Sequence, residues 1–160
     1  ELLEKVEALG VTVKFVTLHT NYGTFAPIKT DKIEAHKMHK EYFELSVETA
    51  ETIREAKARS GRVFAVGTTT TRVLEHCADM ITSREKQAAG DVKGYTDMFI
   101  YPGYQFRVVD HLITNFHLPK STLMLLVSAF AGKDFIFDAY RQAIEERYRF
   151  FSYGDAMLIL

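Results

Sequence analysis

An α/β layered domain is the fold class this sequence predicts, on three observations. Helical segments alternate with short apolar ones, glycines stand where several of those segments should end, and the composition suits a packed core. The chain has 160 residues, 47% of them hydrophobic, with 12 Phe and 8 Tyr. That is the length of one domain rather than two, so a single domain over residues 1–160 is expected.

Each element has a local reason. Leu2, Leu3, Val6 and Leu9 recur at helical spacing, and Gly10 closes the run as a glycine past a last turn would. The chain opens inside this helix without an initiator Met, which leads us to expect a C-terminal piece of a longer protein. Val11 to Leu18 alternates enough to predict a strand. Asn21-Tyr22-Gly23-Thr24-Phe25-Ala26-Pro27 carries the residues of an ordered loop leaving it. Ser46 is placed to cap a helix from Val47 to Arg59, in which Val47, Ala50, Ile53 and Ala56 recur every three residues and which Gly61 ends. Val63 to Val66 is a short, continuously apolar strand of the kind buried in parallel sheets. After Gly67 come Thr68 to Thr71 and then a helical stretch, Arg72 to Cys77. Residues 82–97 are polar, contain Gly90 and Gly94, and read as an exposed excursion. Met98 to Tyr101 and Phe106 to Thr114 are expected strands around the turn Tyr101-Pro102-Gly103-Tyr104. Pro119 suits the first turn of a helix whose Leu123, Leu126, Val127 and Phe130 share a face up to Gly132. Asp134 is placed to cap another helix to about Arg147, and Asp155 to Leu160 finishes as a strand.

Composition excludes several function classes. Lys+Arg number 20 against 21 Asp+Glu, a formal charge of −1, so no global positive field draws in nucleic acid or an anionic membrane. Any RNA contact must come from a local patch. The single cysteine, Cys77, cannot form an internal disulfide or a Cys-rich zinc site, which fits a reducing, cytoplasmic setting. No apolar run approaches the ~18–20 residues of a membrane span; the longest, Leu123 to Ala131, contains Ser128. No signal peptide and no membrane partner are expected. The phosphate loop GxxxxGK[ST], the GxGxxG turn, the GxSxG elbow and HExxH are all missing.

Four segments can carry chemistry. The Gly67–Thr71 turn opens a helix, where unpaired N–H groups and threonine hydroxyls either hold a phosphate or carboxylate or simply make a tight connection. His36 and His39 would lie on one helix face at i,i+3 spacing, either sharing a metal with Glu41 or, with Lys37 and Lys40 beside them, forming a solvated charged face. The second reading is preferred, and no metal is expected. Lys32, Lys37 and Lys40 could instead touch RNA phosphates. Asp110, Asn115 and His117 surround the apolar segment Leu112-Ile113 and lead into a helix start. Strand ends of α/β folds are where ligands sit, so this trio is a candidate for acid–base work and nucleobase hydrogen bonds. Arg147-Tyr148-Arg149-Phe150-Phe151-Ser152-Tyr153-Gly154-Asp155 interleaves arginines with rings, a pairing that stacks a base and grips a phosphate, or packs rings into the core.

Several of these stretches together resemble a known family. They are Phe99-Ile100-Tyr101-Pro102-Gly103-Tyr104, then Val109-Asp110 through Thr114-Asn115-Phe116-His117-Leu118-Pro119-Lys120-Ser121, then Leu126-Val127-Ser128-Ala129-Phe130-Ala131-Gly132, and Tyr148-Arg149-Phe150-Phe151-Ser152-Tyr153-Gly154-Asp155-Ala156-Met157. Val66-Gly67-Thr68-Thr69 with Arg72 and Glu75, and His36 with Met38-His39, fit in the same order. The chain resembles the S-adenosylmethionine:tRNA ribosyltransferase-isomerases of queuosine biosynthesis over nearly its whole length. One stretch departs: the family reads Leu-His-Val-Gly-x-Gly-Thr-Phe where this chain has Leu18-His19-Thr20-Asn21-Tyr22-Gly23-Thr24-Phe25.

The resemblance implies a three-layer α/β/α sandwich, here without the N-terminal part and the inserted β-barrel of the family. It implies a cytoplasmic enzyme that moves and isomerises the ribosyl part of S-adenosylmethionine onto 7-aminomethyl-7-deazaguanine in a tRNA anticodon, giving epoxyqueuosine-tRNA, adenine and methionine. S-adenosylmethionine is then a substrate, no tightly bound cofactor is expected, and a monomer is favoured. That chemistry needs a base beside the sulfonium, a donor for departing adenine, and aromatic faces or carboxylates for the cation. Asp110 or His117 is the candidate base and Asp155 the other carboxylate. Asn115 and the turn Gly67, Thr68 and Thr69 would fix the nucleoside or the methionine carboxylate. Arg72 and Arg149 would meet a carboxylate or tRNA phosphate, Tyr101 and Tyr153 would stack, and His19, Gly23 and Thr24 would line the loop. Two rivals stand beside this: a non-catalytic tRNA-binding module, and a related transferase with another acceptor, suggested by Asn21-Tyr22.

Overall fold

A computed structural model of the chain describes residues 1–20, 28, 30, 32–83 and 90–160. Helix α1 spans Leu2–Ala8 and buries none of its residues. The strand expected over residues 11–18 is reduced to β1, Thr17–Leu18. It pairs antiparallel with β2, Glu41–Leu45, which pairs in turn with β4, Val92–Thr96, in the order β1-β2-β4. Neither β2 nor β4 is foreseen from the sequence, and β4 lies inside the stretch read as an excursion.

The second sheet holds β3, Phe64–Val66, β5, His111–Phe116, and β6, Phe151–Ile159, in the order β3-β5-β6. β3 runs parallel to β5, and β6 is antiparallel to it. Ser46 caps α2, Val47–Ala58, as expected, its Oγ accepting the Thr49 N–H at 3.1 Å. Helices α3, Thr68–His76, and α4, Ala78–Thr82, follow β3. Ser121, and not the region of Pro119, starts α5, Thr122–Ala131, by accepting the Met124 N–H at 3.1 Å. Gly132 begins α6, Lys133–Glu145, which leaves Asp134 inside its first turn rather than at its cap. Among the described residues no helix is long and apolar enough to cross a membrane.

One contiguous cluster of buried side chains joins the two sheets. It takes Phe43 and Leu45 from β2, Ala65 and Leu112 from the mixed sheet, Val73 from α3, Val127 from α5 and Ile136 from α6. Cys77 lies in this cluster, and burial pushes its thiol up to about 11, which makes it inert as a nucleophile. The fold is the expected α/β architecture, with one face of the mixed sheet left open. Ala65, Leu112 and Ile159 are register partners on the covered face. Their neighbours Val66, Ile113 and Leu158 line the other face, where Val66 is 65% and Leu158 56% exposed, beside the exposed Phe64.

Helix α3 ties the parts together through two charged side chains one turn apart. Arg72 forms an ion pair with Glu41 of β2 and donates from Nε to the Met98 carbonyl at 2.9 Å; both charged groups are buried. Arg72 is therefore a structural residue, not the exposed contact for a ligand carboxylate or tRNA phosphate anticipated from the sequence. The buried Glu75 accepts the N–H groups of Arg107, Val108 and Val109 at 3.0, 3.0 and 2.9 Å, and the Tyr104 hydroxyl at 2.9 Å. This explains why the expected strand from Phe106 starts only at His111: the carboxylate satisfies the peptide groups that a strand partner would take. Met98 to Tyr101 is likewise not a strand.

Breaking a buried ion pair on one side leaves an uncompensated charge. Arg72→Met alone is expected to cost about 3–5 kcal/mol in urea unfolding, and adding Glu41→Leu should recover part of that loss. Equal stability of Arg72→Met and the parent would contradict the assignment.

Candidate functional site

Parallel pairing brings the carboxyl ends of β3 and β5 to one edge of the mixed sheet, and the antiparallel β6 starts there. Gly67, at φ 94° and ψ 146°, makes the exit from β3, a conformation open to glycine and strained for residues with a Cβ. Its N–H donates to the Ile113 carbonyl at 2.7 Å, so the turn is fastened to β5. α3 then starts without a side-chain cap. Thr70 and Thr71 turn their hydroxyls back to the carbonyls of Val66 and Gly67, at 2.8 and 3.1 Å. Thr68 is buried and Thr69 half-buried.

At the same edge, the β5–β6 register breaks. Asn115 faces Ala156 but Phe116 faces Phe151, so residues 152–155 bulge out of the ladder. Asn115 donates from Nδ2 to the Phe151 carbonyl across this break. Asp155 holds the bulge by accepting from the Arg149 backbone N–H at 2.6 Å and from its guanidinium at 3.1 and 3.0 Å. Arg149 lies so close over Gly154 that a Cβ there would stand 2.9 Å from the guanidinium. Side-chain hydrogen bonding to Arg149 holds the Asp155 carboxyl down at about 2, and Asp155 raises Arg149 in return. Tyr153, on the bulge, is 70% exposed. The turn Gly67, Thr68 and Thr69, with Asn115, Arg149, Tyr153 and Asp155, thus belongs to one end of one sheet.

Two expected members do not fit the acid–base cluster. Asp110 precedes β5, at the amino end of the parallel pair, five extended residues or ~16 Å along the strand from Asn115. There it accepts Lys57 Nζ at 2.9 and 3.2 Å and the Val63 N–H at 2.8 Å, clipping the end of α2 to the start of β3. His117 is at the carboxyl end but faces inward. Its Nε2 lies 3.0 Å from Thr114 Oγ1, its N–H donates to the Tyr140 hydroxyl at 2.6 Å, and burial lowers its imidazole to about 4. It is therefore neutral at ordinary pH.

The remaining candidates lie elsewhere. His19 continues the β1–β2 ladder, its N–H on the Tyr42 carbonyl at 2.8 Å and its ring 5.3 Å from that of Tyr42. Gly23 and Thr24, like Asn21-Tyr22, lie outside the described residues. Tyr101 stands at the end of a row of rings: 5.1 Å to Phe99, which is 5.1 Å from His36. His36, Lys37, Met38, Lys40, Asp97 and Phe99 line an open cleft of about 510 Å³. Residues 36–40 are not helical, so His36 and His39 share no helix face. No group of three or more His, Cys, Asp or Glu able to hold a metal occurs among the described residues. Sequence reasoning overlooked Asp97 and Phe99. The alternation of Phe99 and Tyr101 around the buried Ile100 was the available signal, and it reads as a strand, Met98 to Tyr101, rather than as a row of rings.

Comparison with known proteins bears on the whole chain. The sequence profile of a family described as "Queuosine biosynthesis protein" matches residues 1–159. A relative from Halothermothrix orenii, named S-adenosylmethionine:tRNA ribosyltransferase-isomerase, is 54% identical over 99% of this chain and 45% of its own length. One of the same name from Thermotoga petrophila is 52% identical over 100% of this chain and 46% of its own. A crystal structure titled S-adenosylmethionine tRNA ribosyltransferase, from Thermotoga maritima, superposes with a TM-score of 0.78 at 45% identity, over 99% of this chain and 48% of that one. The chain spans less than half the length of these relatives.

The two shifted groups act with the same sign in different pH windows, because each takes up its proton at higher pH in the unfolded chain. His117 has a folded pKa of about 4 against 6.5 in its ordinary state, so the unfolded chain takes up the proton first. Stability is expected to fall, by on the order of 3 kcal/mol, as pH drops from about 6.5 to 4, and His117→Gln should flatten that slope in urea titrations. For Asp155, Arg149→Met should let the carboxyl titrate near 3.8 instead of about 2, read by carbon-13 NMR of the side chain. An unmoved Asp155 would refute the pairing.

Proposed function

This chain belongs to the queuosine biosynthesis protein family, and on that premise we propose that it forms part of an S-adenosylmethionine:tRNA ribosyltransferase-isomerase. The proposed reaction transfers and isomerises the ribosyl moiety of S-adenosylmethionine onto 7-aminomethyl-7-deazaguanine in tRNA, giving epoxyqueuosine-tRNA, adenine and methionine. The observation that carries this reading is the match over residues 1–159, without a gap in which a different domain could stand.

The geometry supports it at the carboxyl end of the mixed sheet. The N-terminus of α3, which no side chain caps, offers the N–H groups of Thr68 and Thr69 to the methionine carboxylate, with Gly67 fastened to β5 beneath them. Asp155, ionised at all but very low pH, and the exposed Tyr153 ring offer a charge and a π face to the sulfonium. Asn115 sits beside them to orient the nucleoside. Arg149 holds Asp155 in place through its ion pair, and its exposed guanidinium is the group proposed to reach a tRNA phosphate. General bases work best with a pKa near the working pH, and about 2 for Asp155 and about 4 for His117 lie far below it. The reading therefore gives Asp155 an electrostatic role, and His117 and Asp110 roles in holding the strand ends.

The test is adenine release by the full-length enzyme, with S-adenosylmethionine and tRNA carrying the deazaguanine base, each omitted in turn. Release is expected only with both present, and Asp155→Asn should slow it roughly 10–100-fold. Release without tRNA, or none at all despite S-adenosylmethionine binding, would overturn the proposed reaction.

A further inference from the structure

The cleft beside β4 belongs to neither the strand-end site nor the ion-pair framework. One wall is the segment after the 3-10 turn Ile33–Ala35, with His36, Lys37, Met38 and Lys40; the other is Asp97 and Phe99, just after β4. Its volume of about 510 Å³ is that of a site for a small ligand or one nucleotide. Two features define what fits. The rings of His36, Phe99 and Tyr101 follow one another at 5.1 Å steps, tilted at 60° and 45°, and those of His36 and Phe99 line the cleft. Lys37 and Lys40 are exposed and make no ion pair among the described residues, unlike Lys57, which pairs with Asp110, and Lys93, which pairs with Glu44. A stacking platform flanked by unneutralised ammonium groups is the arrangement that binds single-stranded nucleic acid, the base on the ring and the phosphate on the cations. An uncharged molecule would leave both lysines without a counter-charge, whereas successive backbone phosphates supply one to each.

We propose that this cleft takes one unpaired nucleotide of the tRNA, its base against Phe99 and its backbone phosphates at Lys37 and Lys40. It is a second RNA contact apart from the strand-end site. Asp97, the one carboxylate among the described lining residues, is an acceptor for the edge of the base, a contact that favours bases presenting an amino group. The occupant rests on the proposed reaction, because the tRNA is its substrate.

The experiment measures affinity of the full-length enzyme for tRNA carrying the deazaguanine base across a salt series, and for S-adenosylmethionine alone. The double variant Lys37→Ala/Lys40→Ala changes only exposed side chains. It is expected to weaken tRNA binding about tenfold or more and to flatten the slope of log K against log salt by about 1.4, two single-strand phosphate contacts, with S-adenosylmethionine affinity unchanged. Phe99→Leu should weaken tRNA binding about tenfold at an unchanged slope, and Phe99→Tyr should retain it. An unaltered tRNA affinity and slope in the lysine variant overturns the proposal. So does a loss of S-adenosylmethionine affinity, which would make the cleft a cosubstrate site. If the parent binds tRNA through these lysines yet releases no adenine, the cleft stands and the proposed reaction falls.

Discussion

The buried pair of Arg72 and Glu41 is the contact on which the rest of the molecule depends. It joins α3, the helix that leaves the mixed sheet, to the central strand of the antiparallel sheet, and Arg72 also reaches the Met98 carbonyl. Neither charge can be solvated where it lies, so each is tolerable only while the other is in place. The two sheets are therefore coupled through charge as well as through their shared apolar cluster. One turn on, Glu75 serves as a surrogate strand for residues 107–109. Between them, these two side chains fix the position of α3, and with it the direction in which its N-terminus faces at Gly67.

Elements with local causes were legible in the sequence. The serine cap at Ser46 and the apolar run Val63 to Val66 depend on neighbours within a few residues, and α2 and β3 form where they were expected. Strand β2 was not legible because its period of two is interrupted by an inward-facing carboxylate. Phe43 and Leu45 point to the core as a strand pattern requires, but Glu41 joins them only because Arg72, 31 residues on, receives it. The converse holds at Phe106 to Val109, where an apolar run with strand composition is kept irregular by a carboxylate from another element. In both cases a long-range polar contact outweighs local propensity.

For the site, residue type was more legible than placement. The Gly67 turn and the Arg149 to Asp155 segment carry their geometry in their own residues, a positive φ and a hydrogen-bonded bulge. Asp110 and Asn115 look equivalent on paper, on either side of one apolar strand. Strand direction separates them, since parallel pairing with β3 decides which end faces the α3 N-terminus. His117 was legible as a histidine near a strand end, but its burial depends on Thr114 Oγ1 at its ring and on Tyr140, 23 residues on, at its backbone N–H, which no short window shows together.

The open face of the mixed sheet governs how these 160 residues, taken by themselves, behave in concentrated solution. Phe64, Val66 and Leu158 form an apolar surface on a chain whose formal charge is only −1, so little mutual repulsion keeps copies apart. Salting-out therefore acts on this molecule in two ways. Sulfate or phosphate, excluded from protein surfaces, tightens the buried core and in the same measure drives exposed sheet faces of different copies together. The solution conditions that most favour the folded chain are thus those in which it is least soluble.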